Sequence, residues 1–194
     1  EVKPDLLLVQ GDTSTVFSGA LAAFYQKVKI GHVEAGLRSG NLYSPYPEEA
    51  NRKLTGILTD FHFAPTEANR ENLLREGYPD EKIFVTGNTV IDALHYAVKE
   101  DYNFTIPLLN DIDYKNKRII LLTSHRRENL GKPMENIFSA INDIVLKYDD
   151  VEVVFPIHLN PKVREIAARI FKDNRKVHLI EPLDYEPFTN LMAK

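Results

Sequence analysis

Short apolar runs alternate with amphipathic stretches along nearly the whole chain. The runs are short and mostly apolar, as buried strands of a parallel sheet are: DLLLVQ, VKIGHV, DFHFAP, KIFVTG, RIILLT, VEVVFP and KVHLIE. The stretches between them space their apolar residues at helical intervals, as in STVFSGALAAFYQK and MENIFSAINDIVLKY. This alternation predicts an α/β protein whose parallel sheets are covered by helices on both faces.

Local signals predict where two of the helices begin and end. Pro47 stands near the start of PEEANRKLTGILTD, where a missing N–H costs nothing. In TEANRENLLREG, Thr66 is a suitable N-cap and Gly77 a suitable C-terminal stop. These signals predict one helix from about Pro47 and a second between Thr66 and Gly77.

One segment interrupts the alternation. DYNFTIPLLNDIDYKNK is polar and irregular and contains no strand, and a new strand–helix series begins at Arg118. We therefore predict two Rossmann-like domains, residues 1–86 and 87–194, although a boundary within residues 100–117 also fits the pattern. Since little chain precedes the first strand and the last helix has no cap, we expect both domains to be incomplete and the chain to be the central piece of a longer enzyme.

The composition argues against several functional classes of protein. The 194 residues carry a net charge of −4 without a long basic block, which argues against a nucleic-acid partner. The absence of cysteine excludes disulfides, thiolate metal sites and a cysteine nucleophile, and it indicates a cytoplasmic protein. No apolar run approaches the ~18 residues of a membrane span, so we expect no membrane partner.

Ionisable side chains directly follow several of the predicted strands. Asp12 follows DLLLVQ and Glu34 follows VKIGHV, while His125 follows RIILLT and His158 follows VEVVFP. In open parallel sheets, ligands bind beyond the carboxyl ends of the strands. Because both predicted domains contribute such residues, the pattern predicts an interdomain cleft lined with carboxylates and imidazoles.

Each candidate carboxylate also has a purely structural interpretation. Asp12 can cap the following helix, although the glycine before it permits close approach by a ligand. Glu34 can pair with Arg38, but a carboxylate among apolar neighbours is expected to have a raised pKa and to act as an acid or base. Glu48 and Glu49 can simply interact favourably with the dipole of the helix that they begin.

The turn SHRREN places several charges at the end of a buried strand. Helix N-termini attract phosphate and arginine binds it bidentately, so His125 and its neighbours suit a diphosphate. The alternative is a solvated turn in which Glu128 pairs with an arginine, and His158 in PIHLNP can likewise be a turn residue. The remaining histidines are expected to be packing or surface residues: His32, His62, His95 and His178.

Familiar cofactor motifs are missing. The sequence has no GxGxxG, no GxxxxGK[ST] and no HExxH, and no ligand spacing supports a metal site. We therefore expect neither a cofactor nor a bound metal.

Seven motifs together resemble the non-hydrolysing UDP-N-acetylglucosamine 2-epimerases. They occur in order over essentially the whole chain: QGDTSTV, GHVEAGLRSG, PYPEEANR, FAPTEANRENLLREG, VTGNTVIDAL, TSHRREN and PIHLNP. The resemblance implies a two-domain glycosyltransferase-B-like fold and a homodimer. It also implies interconversion of UDP-N-acetylglucosamine (UDP-GlcNAc) and UDP-N-acetylmannosamine (UDP-ManNAc), which supplies surface polysaccharide synthesis.

In this family UDP leaves from C1 while the C2 proton is removed, which gives 2-acetamidoglucal, and UDP then adds back as a proton returns to the opposite face of C2. The motifs carry the catalytic role over to Asp12, Glu34, Glu48 and His125, with His125 on the diphosphate. Asp12 and Glu34 also count among the substrate-binding residues. In EPLDYEPF, the resemblance implies that Phe188 stacks near the uracil and that the backbone of Leu183 hydrogen-bonds to it.

The bacterial members of the family bind a second UDP-GlcNAc as an allosteric activator. The positions implied here are Arg126, Glu128 and His158, so we expect activation to be retained. The family's phosphate-contacting segment near the N-terminus and its downstream Ser-Gly-Gly and Glu region have no counterpart in these residues. We therefore expect this chain alone to be inactive.

Three other functions stay open at this point. A hydrolysing 2-epimerase would release free N-acetylmannosamine and UDP, although HRREN and PIHLNP favour the non-hydrolysing type. A glycosyltransferase of the same fold would transfer the sugar without breaking the C2–H bond. A non-catalytic nucleotide-sugar sensor could dispense with Asp12, Glu34 and Glu48, and their presence argues against it.

Overall fold

The computed structural model describes residues 2–126 and 129–194, and the chain divides into two compact units. The first unit is Glu1–Ala93 and the second is Leu94–Lys194. Each contains a parallel sheet with helices, which confirms the predicted pair of α/β domains. The division predicted from sequence, at residues 86 and 87, stays a prediction.

The first unit contains a four-stranded parallel sheet of order β1-β2-β3-β4. Its elements alternate along the chain: β1 (Leu6–Gln10), α1 (Ser14–Tyr25), β2 (Lys29–Val33), α2 (Glu48–Leu58), β3 (Phe61–Ala64), α3 (Glu67–Arg75), a 3₁₀ turn (Asp80–Lys82), β4 (Ile83–Val85) and α4 (Thr89–Ala97), which extends past the end of the unit. Strands that follow one another in the chain are neighbours in the sheet, so the carboxyl ends of β1 and β2 lie side by side.

One face of this sheet is covered and the other is not. Val9 and Ile30 pack with Ala20 and Ala23 of α1, which buries the α1 side. Because side chains alternate along a strand, Leu6 and Leu8 point to the opposite face. They are 41% and 59% exposed. The prediction of helices on both faces is therefore wrong for the first sheet, as far as the described residues show.

The second unit contains a three-stranded parallel sheet of order β5-β6-β7. Its elements are α5 (Pro107–Asp111), β5 (Arg118–Leu121), α6 (Lys132–Lys147), β6 (Val151–Pro156), α7 (Pro161–Ile170), β7 (Val177–Ile180) and α8 (Tyr185–Met192). Val153 and Phe155 of β6 pack with Phe138 of α6 on one face, and Val154 packs with Leu191 of α8 on the other. Helices therefore cover both faces of this sheet, as predicted.

The segment between α4 and β5 contains no strand, as predicted, but it is more than a polar connection. It forms α5, and Phe104, Leu109 and Ile112 are all buried. These side chains join Val154 and Ile180 in the second core. The segment thus belongs to the packed interior of the second unit.

The predicted helix ends are confirmed. Thr66 is the N-cap of α3, and its hydroxyl accepts a hydrogen bond from the Asn69 N–H at 3.3 Å. Gly77 follows the last turn of α3 with φ +88°, a left-handed conformation that glycine adopts without steric cost. Helix α2 begins directly after Pro47. In the part of the chain that is described, no helix is both long and apolar enough to span a bilayer.

Candidate active site

Asp12 stands on a sharp turn at the carboxyl end of β1. The preceding Gly11 has φ +83°, and its N–H donates to the carbonyl of Val33 at 3.1 Å, which ties the turn to the end of β2. Thr13, and not Asp12, is the N-cap of α1, because its hydroxyl accepts from the N–H of Val16 at 3.3 Å. The capping interpretation of Asp12 is therefore wrong, and its carboxylate serves other contacts.

Arg52 of α2 holds the Asp12 carboxylate. Its Nε and Nη2 both donate to Oδ2 of Asp12, at 2.9 and 2.7 Å, and Nη1 donates to Oε2 of Glu49 at 3.1 Å. Asn51 adds a hydrogen bond from its side-chain amide to the backbone carbonyl of Asp12 at 2.9 Å. Two consecutive residues of α2 therefore fix the Asp12 turn.

Glu34 lies beside this turn, at the carboxyl end of β2. A β-carbon added to Gly11 would stand 3.6 Å from Oε2 of Glu34, so the glycine leaves room for the carboxylate. Burial and then the charge of Asp12 raise the pKa of the Glu34 carboxyl, against a smaller opposing effect of Arg52. Its backbone has φ +70°, a left-handed conformation that costs free energy in a non-glycine residue and persists only where the surroundings enforce it.

The alternative ion pair between Glu34 and Arg38 is not formed. The guanidinium of Arg38 instead binds Glu76 through two hydrogen bonds, at 2.8 and 2.7 Å. Arg38 also donates to the carbonyl of Leu37 at 2.8 Å, which secures the loop after Glu34. Glu34 is therefore left available for chemistry.

The two glutamates that begin α2 have different environments. Glu49 is fully buried and accepts from the N–H groups of Ser39 and Gly40 at 3.1 and 3.2 Å. Burial alone would raise the pKa of Glu49, but these hydrogen bonds and Arg52 together hold it below its usual value. Glu48 has a buried Oε2 with no hydrogen-bond partner among the described residues. An unpartnered carboxylate oxygen suits a group that meets a substrate.

His32 supports the Asp12 turn from beneath. Its side chain is 2% exposed, and its Nε2 lies 2.8 Å from the carbonyl oxygen of Gly11. Since a carbonyl only accepts, this ring nitrogen carries the proton. Burial lowers the pKa of His32, more than the contact with Gly11 raises it, which favours the neutral ring. The packing role predicted for His32 is confirmed.

The second unit contains a cavity of about 310 Å³ at the carboxyl ends of its strands. His125, His158, Leu183 and Phe188 all line it. The rings of His125 and His158 are stacked, with centroids 5.6 Å apart and planes at 17°. Nδ1 of His158 accepts a hydrogen bond from the N–H of Asn160 at 3.1 Å, which orients the ring. The volume is at the lower end of the range for small-ligand pockets, about 300–1,000 Å³.

The predicted site residues thus fall into two groups. In the first unit the structure brings together Asp12 and Glu34 around the Gly11 turn, with Glu48 at the start of α2. In the second unit it brings together His125, Leu183 and Phe188, and it adds His158, which the resemblance assigned to an activator site. Arg126 is exposed, and Glu128 lies outside the described residues. The assigned roles stay predictions.

Two residues that contribute to the site were not predicted. The helix-start pattern indicates Glu49 only as a favourable charge, and it gives no reason to single out Arg52. Their spacing of one helical turn was a usable signal, because residues three apart lie on the same face of a helix. In the described part of the chain, no group of three or more histidine or acidic side chains is arranged to hold a metal ion.

Comparison with known proteins gives a consistent result. A family model described as UDP-N-acetylglucosamine 2-epimerase matches residues 1–194. The UDP-N-acetylglucosamine 2-epimerase of Bacillus subtilis is 55% identical over 194 residues, which cover 100% of this chain and 50% of that protein. The chain therefore spans about half the length of the curated relatives that it matches.

Comparison with solved structures also finds 2-epimerases. The Staphylococcus aureus MnaA–UDP co-structure has a TM-score of 0.89 and 53% identity, over 96% of this chain and 50% of that one. The UDP-GlcNAc 2-epimerase of Neisseria meningitidis, bound to UDP-GlcNAc, has a TM-score of 0.88 and 49% identity, over 98% of this chain and 53% of that one.

Proposed function

The chain belongs to the UDP-N-acetylglucosamine 2-epimerase family, and we propose that it carries the acid–base residues of an enzyme that interconverts UDP-GlcNAc and UDP-ManNAc. The observation that carries the proposal is the juxtaposition of Asp12 and Glu34 around the Gly11 turn. Inversion at C2 requires one group that removes a proton and another that returns a proton to the opposite face. Neighbouring carboxylates in different environments suit these two tasks.

The proposed reaction proceeds by elimination and re-addition. A carboxylate takes the C2 proton, the C–H electrons form a C1=C2 double bond, and the C1–O bond breaks with its electrons passing to the diphosphate. A second carboxylate then protonates the opposite face of C2 while the UDP oxygen re-forms the bond to C1. Asp12, Glu34 and Glu48 are the candidates for these transfers, and the 2-acetamidoglucal between the two steps carries no charge at C2.

The pocket of the second unit is the proposed site for the uridine diphosphate. Phe188 would stack on the uracil, the backbone of Leu183 would hydrogen-bond to it, and His125 would stabilise the departing diphosphate. The S. aureus MnaA–UDP co-structure, which is similar over nearly all of this chain, supports a uridine diphosphate ligand. Without a group that stabilises the negative charge on its leaving oxygen, UDP would depart from C1 more slowly.

Activation by a second UDP-GlcNAc is the proposed role of Arg126, Glu128 and His158. The ring contact between His158 and His125 supports this proposal, because it gives the activator residues a direct physical link to the diphosphate residue. A homodimer and a role in surface polysaccharide synthesis complete the proposed function, on the family resemblance alone.

Product analysis tests this function. The complete gene product is incubated with UDP-GlcNAc, and the products are separated by chromatography. We expect UDP-ManNAc without free sugar. Free N-acetylmannosamine together with UDP would instead identify a hydrolysing epimerase. Transfer of the sugar to an added acceptor would identify a glycosyltransferase, and binding without any product would identify a sensor.

A further inference from the structure

Arg52 and Glu49 form a network behind Asp12 that the proposed proton transfers do not use directly. The Arg52 side chain is 14% exposed, and that of Glu49 is completely buried. Arg52 bridges Asp12 and Glu49 with three hydrogen bonds between 2.7 and 3.1 Å. A buried charged network of this kind is costly unless each member is satisfied, so its presence calls for a specific role.

The geometry at Asp12 is asymmetric. Nε and Nη2 of Arg52 both donate to Oδ2, and none of the three Arg52 hydrogen bonds reaches Oδ1. A guanidinium presents its donors in a rigid planar fork, so it fixes the rotation of the carboxylate as well as its charge. Oδ1 is thereby left as the oxygen that can accept a proton.

Glu49 fixes the position of Arg52 in turn. Its Oε2 receives Nη1 of Arg52 and the N–H of Ser39, and its Oε1 receives the N–H of Gly40. The loop before α2 and the first turn of α2 therefore hold the guanidinium from the side opposite Asp12. Glu49 cannot rotate without losing backbone contacts, so the fork keeps a single orientation.

Glu34 differs from Asp12 in that no cationic side chain among the described residues binds its carboxyl group. It touches the same Gly11 turn but receives no hydrogen bond from Arg52. Its burial and the nearby charge of Asp12 favour the protonated carboxyl. Of these two carboxylates at one turn, Asp12 is held by a guanidinium and Glu34 is not.

We propose that Arg52, held by Glu49, is a positioning residue that fixes the rotation of the Asp12 carboxylate, so that Oδ1 is the oxygen that meets the substrate. The proposal rests on the proposed epimerase function. Asp12 then takes the C2 proton through Oδ1, and Glu34 donates its own proton to the opposite face as UDP re-forms the C1–O bond. After one turnover Asp12 holds a proton and Glu34 does not, and exchange with solvent restores the starting state.

Substitution of Arg52 in the complete gene product tests the proposal. Arg52→Gln removes the cation, and Arg52→Lys keeps the charge but loses the fork. We expect Arg52→Gln to lower kcat by about 100-fold with KM changed by less than about threefold, because a fixed donor to the reacting group is lost. Arg52→Lys should also lower kcat with KM little changed, because an ammonium cannot fix the rotation of the carboxylate as a planar fork does.

Arg38 offers a matched control. Its side chain is 9% exposed and makes a two-bond ion pair with Glu76, so Arg38→Gln removes a comparable contact in the same unit. We expect this variant to lose stability but to lower kcat far less than Arg52→Gln does. If Arg38→Gln shows the same loss of kcat, Arg52 has only a structural role and the proposal is wrong.

A structural comparison that needs no turnover separates this proposal from the proposed function. The orientation of the Asp12 carboxylate is compared in crystal structures of the wild type and of Arg52→Gln. We expect the carboxylate to leave its wild-type rotamer in the variant, and an unchanged orientation would overturn the proposal. A reoriented carboxylate in a protein that makes no UDP-ManNAc would overturn the epimerase function and leave the Arg52 assignment intact.

Discussion

The two candidate sites of this chain consist of different kinds of side chain. The candidate site of the first unit consists of charged side chains: Arg52 binds the Asp12 carboxylate, and Glu34 lies beside the same Gly11 turn at the ends of β1 and β2. The candidate site of the second unit consists mainly of rings and apolar side chains. His125 and Phe188 line one cavity, and no carboxylate is among the described residues that line it. This contrast is what the proposed function requires, in which the first unit moves protons and the second binds the nucleotide.

The same contrast extends to how each site is held. Asp12 and Glu49 are fixed by ion pairs and backbone N–H groups, so their positions depend on a connected polar network. The pocket of the second unit lies on a sheet with a packed core on both faces. Loss of one partner should therefore have different consequences in the two units, and the following substitutions test that expectation.

The largest expected effect comes from Glu34. Glu34→Gln keeps the shape of the side chain but cannot transfer a proton, so we expect turnover of the complete gene product to fall by about 10²–10⁴-fold. UDP affinity, measured by calorimetry, should change by less than about threefold, because the proposed UDP site lies in the second unit. Glu67→Gln, on the exposed first turn of α3, is the control. Normal turnover in Glu34→Gln would refute the acid–base role.

His125 should give the next largest effect. Removing a donor to a departing oxyanion costs about 10²–10³-fold in kcat, so we expect a loss of this size in His125→Ala. Arg126→Ala should instead leave basal turnover close to normal and reduce the response to added UDP-GlcNAc. Initial rates measured over a range of UDP-GlcNAc concentrations distinguish the two variants. Equal behaviour of both variants would contradict the assignment of neighbouring residues to separate roles.

His62 should make the stability of the first unit sensitive to acid. Its ring is 1% exposed, and neither ring nitrogen has a hydrogen-bond partner among the described residues. Burial is the main cause that lowers the pKa of His62 from 6.5 to about 4. The unfolded chain therefore takes up a proton first as the pH falls from 6.5 towards 4, and the folded state loses about 3 kcal/mol over that window.

Urea denaturation at a series of pH values measures this loss. His62→Phe should reduce the dependence between pH 6.5 and 4, because it removes the buried ring whose pKa is about 4, and buried His32 accounts for a remainder. His95→Gln, at an exposed position on α4, should leave the dependence unchanged. Equal dependence in the wild type and in His62→Phe would show that another group is responsible.

Phe188 should give the smallest of these effects, confined to binding. Stacking of a base on an aromatic ring contributes about 1–3 kcal/mol, so we expect Phe188→Ala to weaken UDP affinity by roughly 5- to 150-fold. Turnover at saturating substrate should fall far less, which is the reverse of the Glu34 pattern. Tyr185→Ala on the same helix removes an exposed ring and serves as the control. A larger effect on kcat than on affinity would break the proposed division between the units.

Much of the fold could be predicted because its signals are local. Apolar runs, helical spacing and the caps at Thr66 and Gly77 depend on neighbouring residues only. The positions of Asp12 and Glu34 followed from topology, since consecutive parallel strands bring their carboxyl ends to one edge. Their placement at the same edge of the sheet was therefore accessible without a structure.

The remaining features depend on contacts between distant residues. Arg52 lies 40 positions from Asp12, and in the sequence it is one more charge on an amphipathic helix. The left-handed backbone of Glu34 has no sequence signal, because non-glycine residues adopt it only when their surroundings enforce it. The segment with Phe104 and Leu109 is polar on average, and only the fold shows that its few apolar residues are buried.

Solvent exchange at C2 tests the central claim most directly. The complete gene product is incubated with UDP-GlcNAc in deuterium oxide, and both the recovered substrate and any UDP-ManNAc are examined by mass spectrometry and NMR. Proton transfer by the carboxylates of the first unit predicts deuterium at C2 of UDP-ManNAc, and the same reaction in reverse predicts deuterium in the recovered UDP-GlcNAc. UDP-ManNAc that retains the original C2 hydrogen, or turnover without any exchange at C2, would contradict the account.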